Sequence, residues 1–508
     1  MKIQFCLCLT VLAMPGWPAI AAVLHVPSEH PTIQAGIDAA APGDIVQVAD
    51  GIYTGDGNRD IDFSGKPIVV KSTAGPDSCI IDCQSSHFDP HRGFCFCNGE
   101  DENSVIMGFT IRNGSSDDEG GAISCHHASP TIIDCTFTSN QTIGLVTGGG
   151  AIYFENSSSL ILNCTFYANR SERALAAFGG AVFCRHSTPM FRNCNFSANS
   201  TFGIAANRGG GIACDYSDAI IADCVFTENR AGDGGGAIGF LGSSPHLTNC
   251  IVVQNKASRG GGIYCIDSFP YLMNCTLAMN TGSLEGGAIW TSVSTVSIAN
   301  SIVRLNSPSQ FNDRNQMSII YSNIQGGDPG RGNLDVDPVF SRHCPPDFHL
   351  LPGSPCIDSG TPEGSPASDL DGNPRPSGIG VDMGAYEFSW PNVTMAYITM
   401  PSHSFQPGDR AGCNAFIWNP YDYACDEYKF FAVMDIWGTF YCAPSYNMID
   451  YYSINCNPGL TEIQIIPDFT WPSDIGSTSG ITWYAALVNP EMDEAVSGIG
   501  MFDFGWSE

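Results

Sequence analysis

Eight residues between positions 170 and 259 are the best candidates for contact chemistry: Arg170, Arg173, Phe178, Phe202, Arg208, Arg230, Lys256 and Arg259. Six of them are cationic, in a chain with only 21 lysines and arginines. Guanidinium groups grip anionic oxygens in a two-pronged geometry, and neighbouring rings offer a face for stacking. Together they suit an anionic glycan held by charge and stacking. The competing reading is that Glu172, Glu228, Asp233 and Glu285 pair with these cations and only fix the segments that carry them. A second set is Asp369, Asp371 and Asn373, with Asp382 and Glu387 further on, an oxygen-rich run of the kind that binds calcium. Against it, Gly372 stands fourth rather than sixth in the loop, which favours a tight turn closed by Asp and Asn side chains. No other cofactor is expected. His126, His127 and His186 read as exposed strand or turn residues.

A repeat must position the first set. Asn/Asp-Cys-x-Phe-x-x-Asn recurs at Cys135, Cys164, Cys194, Cys224, Cys250 and Cys275, and in degenerate form at Ser301. Successive copies are 29, 30, 30, 26, 25 and 26 residues apart, a period that means a solenoid. Between markers the apolar residues alternate with period two, as in strands. No copy can bury its apolar face alone, so copies must stack, parallel strand on parallel strand, ~4.8 Å apart. Equivalent residues then form columns. Cysteines make one, Phe137 to Leu277 a second, and the turn residues Asn140 to Asn306 a third. A stacked amide donates and accepts, so that last column can hydrogen-bond from copy to copy. Glycine clusters before each copy, such as Gly148, Gly149 and Gly150, fit corners where a Cβ would clash. The segments between turn Asn and glycines (141–147, 170–178, 200–208, 230–233 and 256–259) vary in length and should leave one edge as a ridge of loops. The candidate cations lie there.

The stretch from Pro31-Thr-Ile-Gln to Asp50-Gly-Ile-Tyr resembles the opening of pectate-lyase-like secreted β-helix proteins. Val105-Ile-Met-Gly-Phe-Thr-Ile-Arg-Asn-Gly, followed by Gly-Gly-Ala-Ile and Phe-x-x-Asn, resembles bacterial polymorphic outer-membrane-protein repeats. Gly353-Ser-Pro-Cys-Ile-Asp-Ser-Gly, with 369–375 and 381–387, is similar to segments that end such helices. The resemblance implies a right-handed parallel β-helix and export. It also raises polysaccharide chemistry, but the Asn-Thr-Asp, Gly-His-Gly and Arg-x-Lys strings of polygalacturonase-like sites do not occur. A lyase needs a cationic base, and beyond Lys2 the only lysines are Lys66, Lys71, Lys256 and Lys429. No catalytic residue is assigned.

Residues 1–22 read as a secretory signal peptide: Lys2, an apolar run, then small residues ending at Ala21 and Ala22. The solenoid is expected over 23–329, its open end plugged by a helix within 32–40, with a cap over 330–390. Aromatic density rises from Val393, which predicts a β-sandwich over 393–508. The fold class is therefore all-β. A net charge of −30 opposes nucleic acid and anionic membranes, and no later run is long enough to span a bilayer. Of 22 cysteines, the column ones read as buried thiols. Cys344 with Cys356, and Cys413, Cys425, Cys442 and Cys456 among themselves, are the disulfide candidates. The expected function is a secreted or cell-surface, adhesin-like binder of polysaccharide or another envelope component. A polysaccharide lyase or hydrolase, and a purely structural spacer, are the alternatives.

Overall fold

The computed structural model describes residues 21–341, 346–389 and, nearer the C terminus, 394–400, 404–419, 425–436, 439–446, 450–456, 459–472, 477–488, 497 and 500–506. Of the expected signal peptide, 1–20 lie outside the described residues. One coil shows the plan of the solenoid. Ile152–Glu155, Leu160–Leu162 and Thr165–Tyr167 run as three strands, Arg170–Ala174 and Ala176–Phe178 follow, and Val182–Arg185 then pairs in parallel with Ile152–Glu155. Repetition builds a first sheet of 12 strands, a second of 11 and a third of 9, all parallel, plus two smaller parallel sheets of 7 and 3 strands. The chain is a parallel β-solenoid around one continuous apolar core.

The columns are real neighbours. Phe137, Phe166, Phe196, Phe226, Val252, Leu277 and Val303 stand in register down the second sheet. Their rings stack face to face, with centroids 4.9, 4.6 and 4.7 Å apart from Phe137 to Phe226. All are fully buried, and each side chain contributes about 1.5–3 kcal/mol through removal from water. The six column cysteines are buried thiols, each donating to the carbonyl two residues back at 3.1–3.4 Å. Ser301 takes the same place with its hydroxyl on Ala299 O at 2.8 Å, so a small donor is what the position requires. Corner glycines are fixed by close approach: a Cβ on Gly180 would lie 2.2 Å from Gly210 O.

The asparagine column is buried, not merely a surface turn. Asn140, Asn169, Asn199, Asn229, Asn255 and Asn280 are fully enclosed. From Asn169 on, each accepts, on one Oδ1, both the amide N–H and the Nδ2 of the copy before it, while Asn140 accepts Gly114 N; Asn169 N and Nδ2 reach Asn199 Oδ1 at 2.9 and 3.0 Å. The spare Nδ2 proton goes to a core carbonyl, Phe137 O in that copy, at 2.9 Å. Every polar group of the amide is thereby used at full burial.

Both ends are closed. Ile33–Ala39 forms the expected helix, capped by Thr32 Oγ1 accepting from Ala35 N, with Ile33 and Ile37 fully buried against the first strands. At the other end the Asn at the start of each of the last three marker copies becomes a tether. Asn249 Nδ2 donates to Ser368 O, Asn274 Nδ2 to Asp382 O and Asn300 Nδ2 to Thr361 O, at 2.7–3.0 Å. Those bonds hold the irregular 346–389 segment on the last rungs. Beyond it, an antiparallel three-stranded sheet and a second, mainly antiparallel sheet share a core that includes Phe405, Ile417, Phe430, Trp483 and Phe502, which is the expected sandwich. Trp471 and Trp483 are buried in it; Trp437 lies outside the described residues.

The disulfide expectations fare differently. No disulfide links the described cysteines of the solenoid. Cys356 is a buried thiol and Cys344 lies outside the described residues. Cys425 and Cys456 are register partners across an antiparallel ladder, while Cys413 is a buried thiol in the other sheet. No helix among the described residues is long and apolar enough to cross a membrane.

Candidate functional site

The segments expected to be loops are strands, because each lies on the backbone of the rung before it. Gln141, Arg170, Ser200, Arg230, Lys256 and Thr281 form one column of this ridge. A second column runs Gly148, Phe178, Arg208, Gly234, Arg259 and Glu285. Phe202 stands beside the first, in register with Glu172. Arg173 belongs to the same strand, but its side chain lies outside what the structure describes.

The cations divide into held and available. Arg208 is 11% exposed at its side chain and grips both oxygens of Asp215 at 3.0 Å, with its guanidinium 4.8 Å from the Phe178 ring centre. Arg170 donates twice to Gln141 Oε1, at 3.1 and 2.9 Å, and lies 3.7 Å from Glu172. Arg259 lies 3.7 Å from Glu285 and over Trp290, whose indole N–H donates to Glu285 at 2.7 Å. Internal pairing therefore accounts for Arg170 and Arg259 through the expected Glu172 and Glu285, and for Arg208 through Asp215 on the third sheet. Arg230 and Lys256 are exposed register partners and have no carboxylate within 4.0 Å among the described residues. Arg230 rests 5.3 Å over Phe202, which is 44% exposed. Apolar tips flank them: Leu145, Leu175 and Ile204 are more than half exposed.

A charged cluster beside the ridge was not singled out from the sequence. His126, Glu155, Arg185 and Asp215 succeed one another in register on the outer side of the third sheet. Glu155 meets His126 Nδ1 at 3.1 Å and Arg185 at 3.9 Å, and Glu119 lies 3.9 Å from His126 Nε2. His126 is thus bracketed by two carboxylates instead of standing free. Tyr153, two residues before Glu155 on the same strand, is fully buried, and its hydroxyl lies near Glu119 and Arg185. Burial pushes the Glu119 and Asp215 carboxyls above the usual range. A carboxyl raised in this way beside a hydroxyl and an imidazole is able to exchange protons with a ligand. The signal was available: 126, 155, 185 and 215 are one repeat apart.

The oxygen-rich set at the far end does not converge. Asp369 is buried, and its carboxylate accepts Asn373 N at 2.7 Å, Asn373 Nδ2 at 3.1 Å and Glu387 N at 2.8 Å. Asp371 turns away to His349 Nε2 at 2.8 Å, and the other nitrogen of that ring meets Asp347. The arrangement is the tight turn that competed with the calcium reading, with the carboxylate oxygens committed to N–H groups. Hydrogen bonding to Asp371, then to Asp347, pushes the His349 imidazolium up to about 9.

Residues 68–232 match the family model described as a right handed beta helix region. No curated protein resembles the chain closely enough to count as a match.

Proposed function

With its solenoid a right-handed parallel β-helix, we propose that this protein is a secreted or surface-held binding protein that engages an anionic polysaccharide along the ridge and is adhesin-like in action. The observation that carries the reading is the pair Arg230 and Lys256, exposed on adjacent rungs with the Phe202 ring beside them. A uronate or sulfated chain lying along the solenoid axis meets a cation on each of these two rungs, at ~4.8 Å spacing. Held neighbours, Arg208 over Phe178 and Arg259 over Trp290, keep the flanking rings in place. Fixing these groups beforehand lowers the ordering cost of binding. Incubating the purified protein with neutral and uronate-rich polysaccharides, while following retention and new chain ends together, tests it. Retention without new ends supports binding; no retention on any anionic glycan refutes it.

A second reading, an extracellular polysaccharide lyase or hydrolase, is favoured by the Glu119, His126 and Glu155 cluster with the buried Tyr153 hydroxyl beside Glu119. There Glu119, raised by burial, serves as the proton donor. Reducing or unsaturated chain ends that vanish in Glu119→Gln and Glu155→Gln decide for it. The spacer reading is left if neither binding nor turnover occurs.

A further inference from the structure

A cleft of about 540 Å³ opens where the last rungs of the first sheet meet the capping segment, far along the chain from the ridge residues. Its floor is the outer side of three successive rungs, with Tyr271, Ala299 and Ile320 on it. One wall is the capping segment at Thr361, Glu363 and Gly364; the other is Tyr321 with Arg331 lying 5.4 Å over its ring. The walls are fixed. Asn300 exchanges hydrogen bonds with Thr361, Nδ2 to O at 2.7 Å and N to Oδ1 at 2.8 Å, and Ser365 Oγ reaches Asn274 Oδ1 at 3.1 Å. Tyr321 N donates to Arg331 O at 2.8 Å, and the Tyr321 ring is seated against Gly332, where a Cβ would come within 2.4 Å. A cleft formed by hydrogen-bonded walls is built before any ligand arrives.

The lining chooses the ligand. Glu363 and Arg331 are exposed, of opposite charge and on opposite walls, so the site as a whole is neutral and rewards neither an anion nor a cation. Burial, and then the Glu363 carboxylate, push the Tyr271 phenol up, so it is a neutral hydroxyl that both donates and accepts. The carboxylate accepts pairs of hydroxyl protons and the guanidinium donates to pairs of oxygens. Ala299 and Ile320 on the floor and the Tyr321 ring on the wall supply apolar surface of limited area. A molecule with one apolar face and a rim of hydroxyls satisfies all of these. We propose that this cleft binds a neutral saccharide unit, with Tyr321 and Ile320 under the sugar ring and Glu363, Arg331 and Tyr271 on its hydroxyls. The site is separate from the anionic-glycan ridge and does not depend on it.

Saturation-transfer NMR of the full protein with glucose, galactose, mannose, N-acetylglucosamine and their short oligomers tests the assignment. At least one neutral sugar is expected to bind. Glu363→Ala and Arg331→Ala should each weaken it at least about tenfold, the factor that losing a hydrogen bond to a charged group corresponds to. Both residues are exposed, so thermal melting should be unchanged and failure to fold does not confuse the result. The double substitution Arg230→Ser with Lys256→Ser should leave this binding intact. Absence of binding by every neutral sugar, or unchanged affinity in both cleft variants, overturns the proposal.

Discussion

Replacing Asn199 by alanine should damage the solenoid more than its single small side chain suggests. Asn199 is fully buried and its amide makes four hydrogen bonds. Nδ2 donates to Phe166 O and to Asn229 Oδ1, both at 2.9 Å, and Oδ1 accepts Asn169 N at 2.9 Å and Asn169 Nδ2 at 3.0 Å. At a net value of about 1 kcal/mol per bond, the loss is about 4 kcal/mol, since water cannot enter to replace them. Asn199→Asp keeps the acceptors, but it sets a carboxylate oxygen against Phe166 O and Asn229 Oδ1. It should therefore be worse than alanine at neutral pH and partly recover in acid, where the protonated acid can donate again. Urea unfolding followed by far-ultraviolet circular dichroism measures the global loss. Hydrogen exchange at the Asn169 amide reports the local one, because each rung is stabilised chiefly by its neighbours. Alanine within about 1 kcal/mol of the parent, with Asn169 still protected, would refute the claim that the amide column holds the rungs together.

Other consequences are narrower. Arg208→Ala strands the largely enclosed Asp215 carboxylate and should cost about 2–3 kcal/mol in urea unfolding, whereas Arg230→Ala, exposed and with no ion pair among the described residues, should cost under about 0.5 kcal/mol. Because the folded His349 value, about 9, lies above its ordinary 6.5, the stability it gives the cap is complete below 6.5 and is lost as pH rises through 9; the protection factor of the amide at position 349, exchange relative to the unprotected rate at each pH, should fall over that window, and His349→Gln should flatten that fall. A thiol alkylating reagent should modify Cys97, the exposed cysteine among the described ones, within the native state, and reach the buried column cysteines Cys135 to Cys275 only on unfolding; rapid native labelling of the column would contradict their packing.

What was legible in the sequence followed from what repetition makes visible. The 29- and 30-residue spacing of Cys135, Cys164 and Cys194 translates directly into register, so the apolar, thiol and amide columns follow from the repeat itself. The helix at Ile33–Ala39 is equally plain, from Ile33, Ile37 and Ala40 on one helical face ahead of Pro42 and Gly43. The ridge segments vary in length from copy to copy, which reads as loops; their extended form comes from pairing with the rung before. Its cations share one ridge, as their place in the repeat implies, yet that Arg208 is held depends on Asp215, a residue of another sheet seven positions further on. The tethering role of Asn249, Asn274 and Asn300 was hidden for a similar reason: their partners lie 61 to 119 residues away in an irregular segment. The far-end carboxylates misled in the opposite direction. Their composition suits a cation, while Asp369 spends its oxygens on N–H groups and Asp371 serves His349.

The central claim rests on Arg230 and Lys256, and the most direct measurement is retention of the protein on an immobilised uronate-rich polysaccharide as salt is raised. The parent should be retained at low salt and released as the charges are screened. The double variant Arg230→Ser with Lys256→Ser, folded as judged by its melting curve, should elute with the unbound fraction. Retention of the double variant equal to that of the parent, or passage of the parent through the column at low salt, would contradict a ridge that binds anionic glycans.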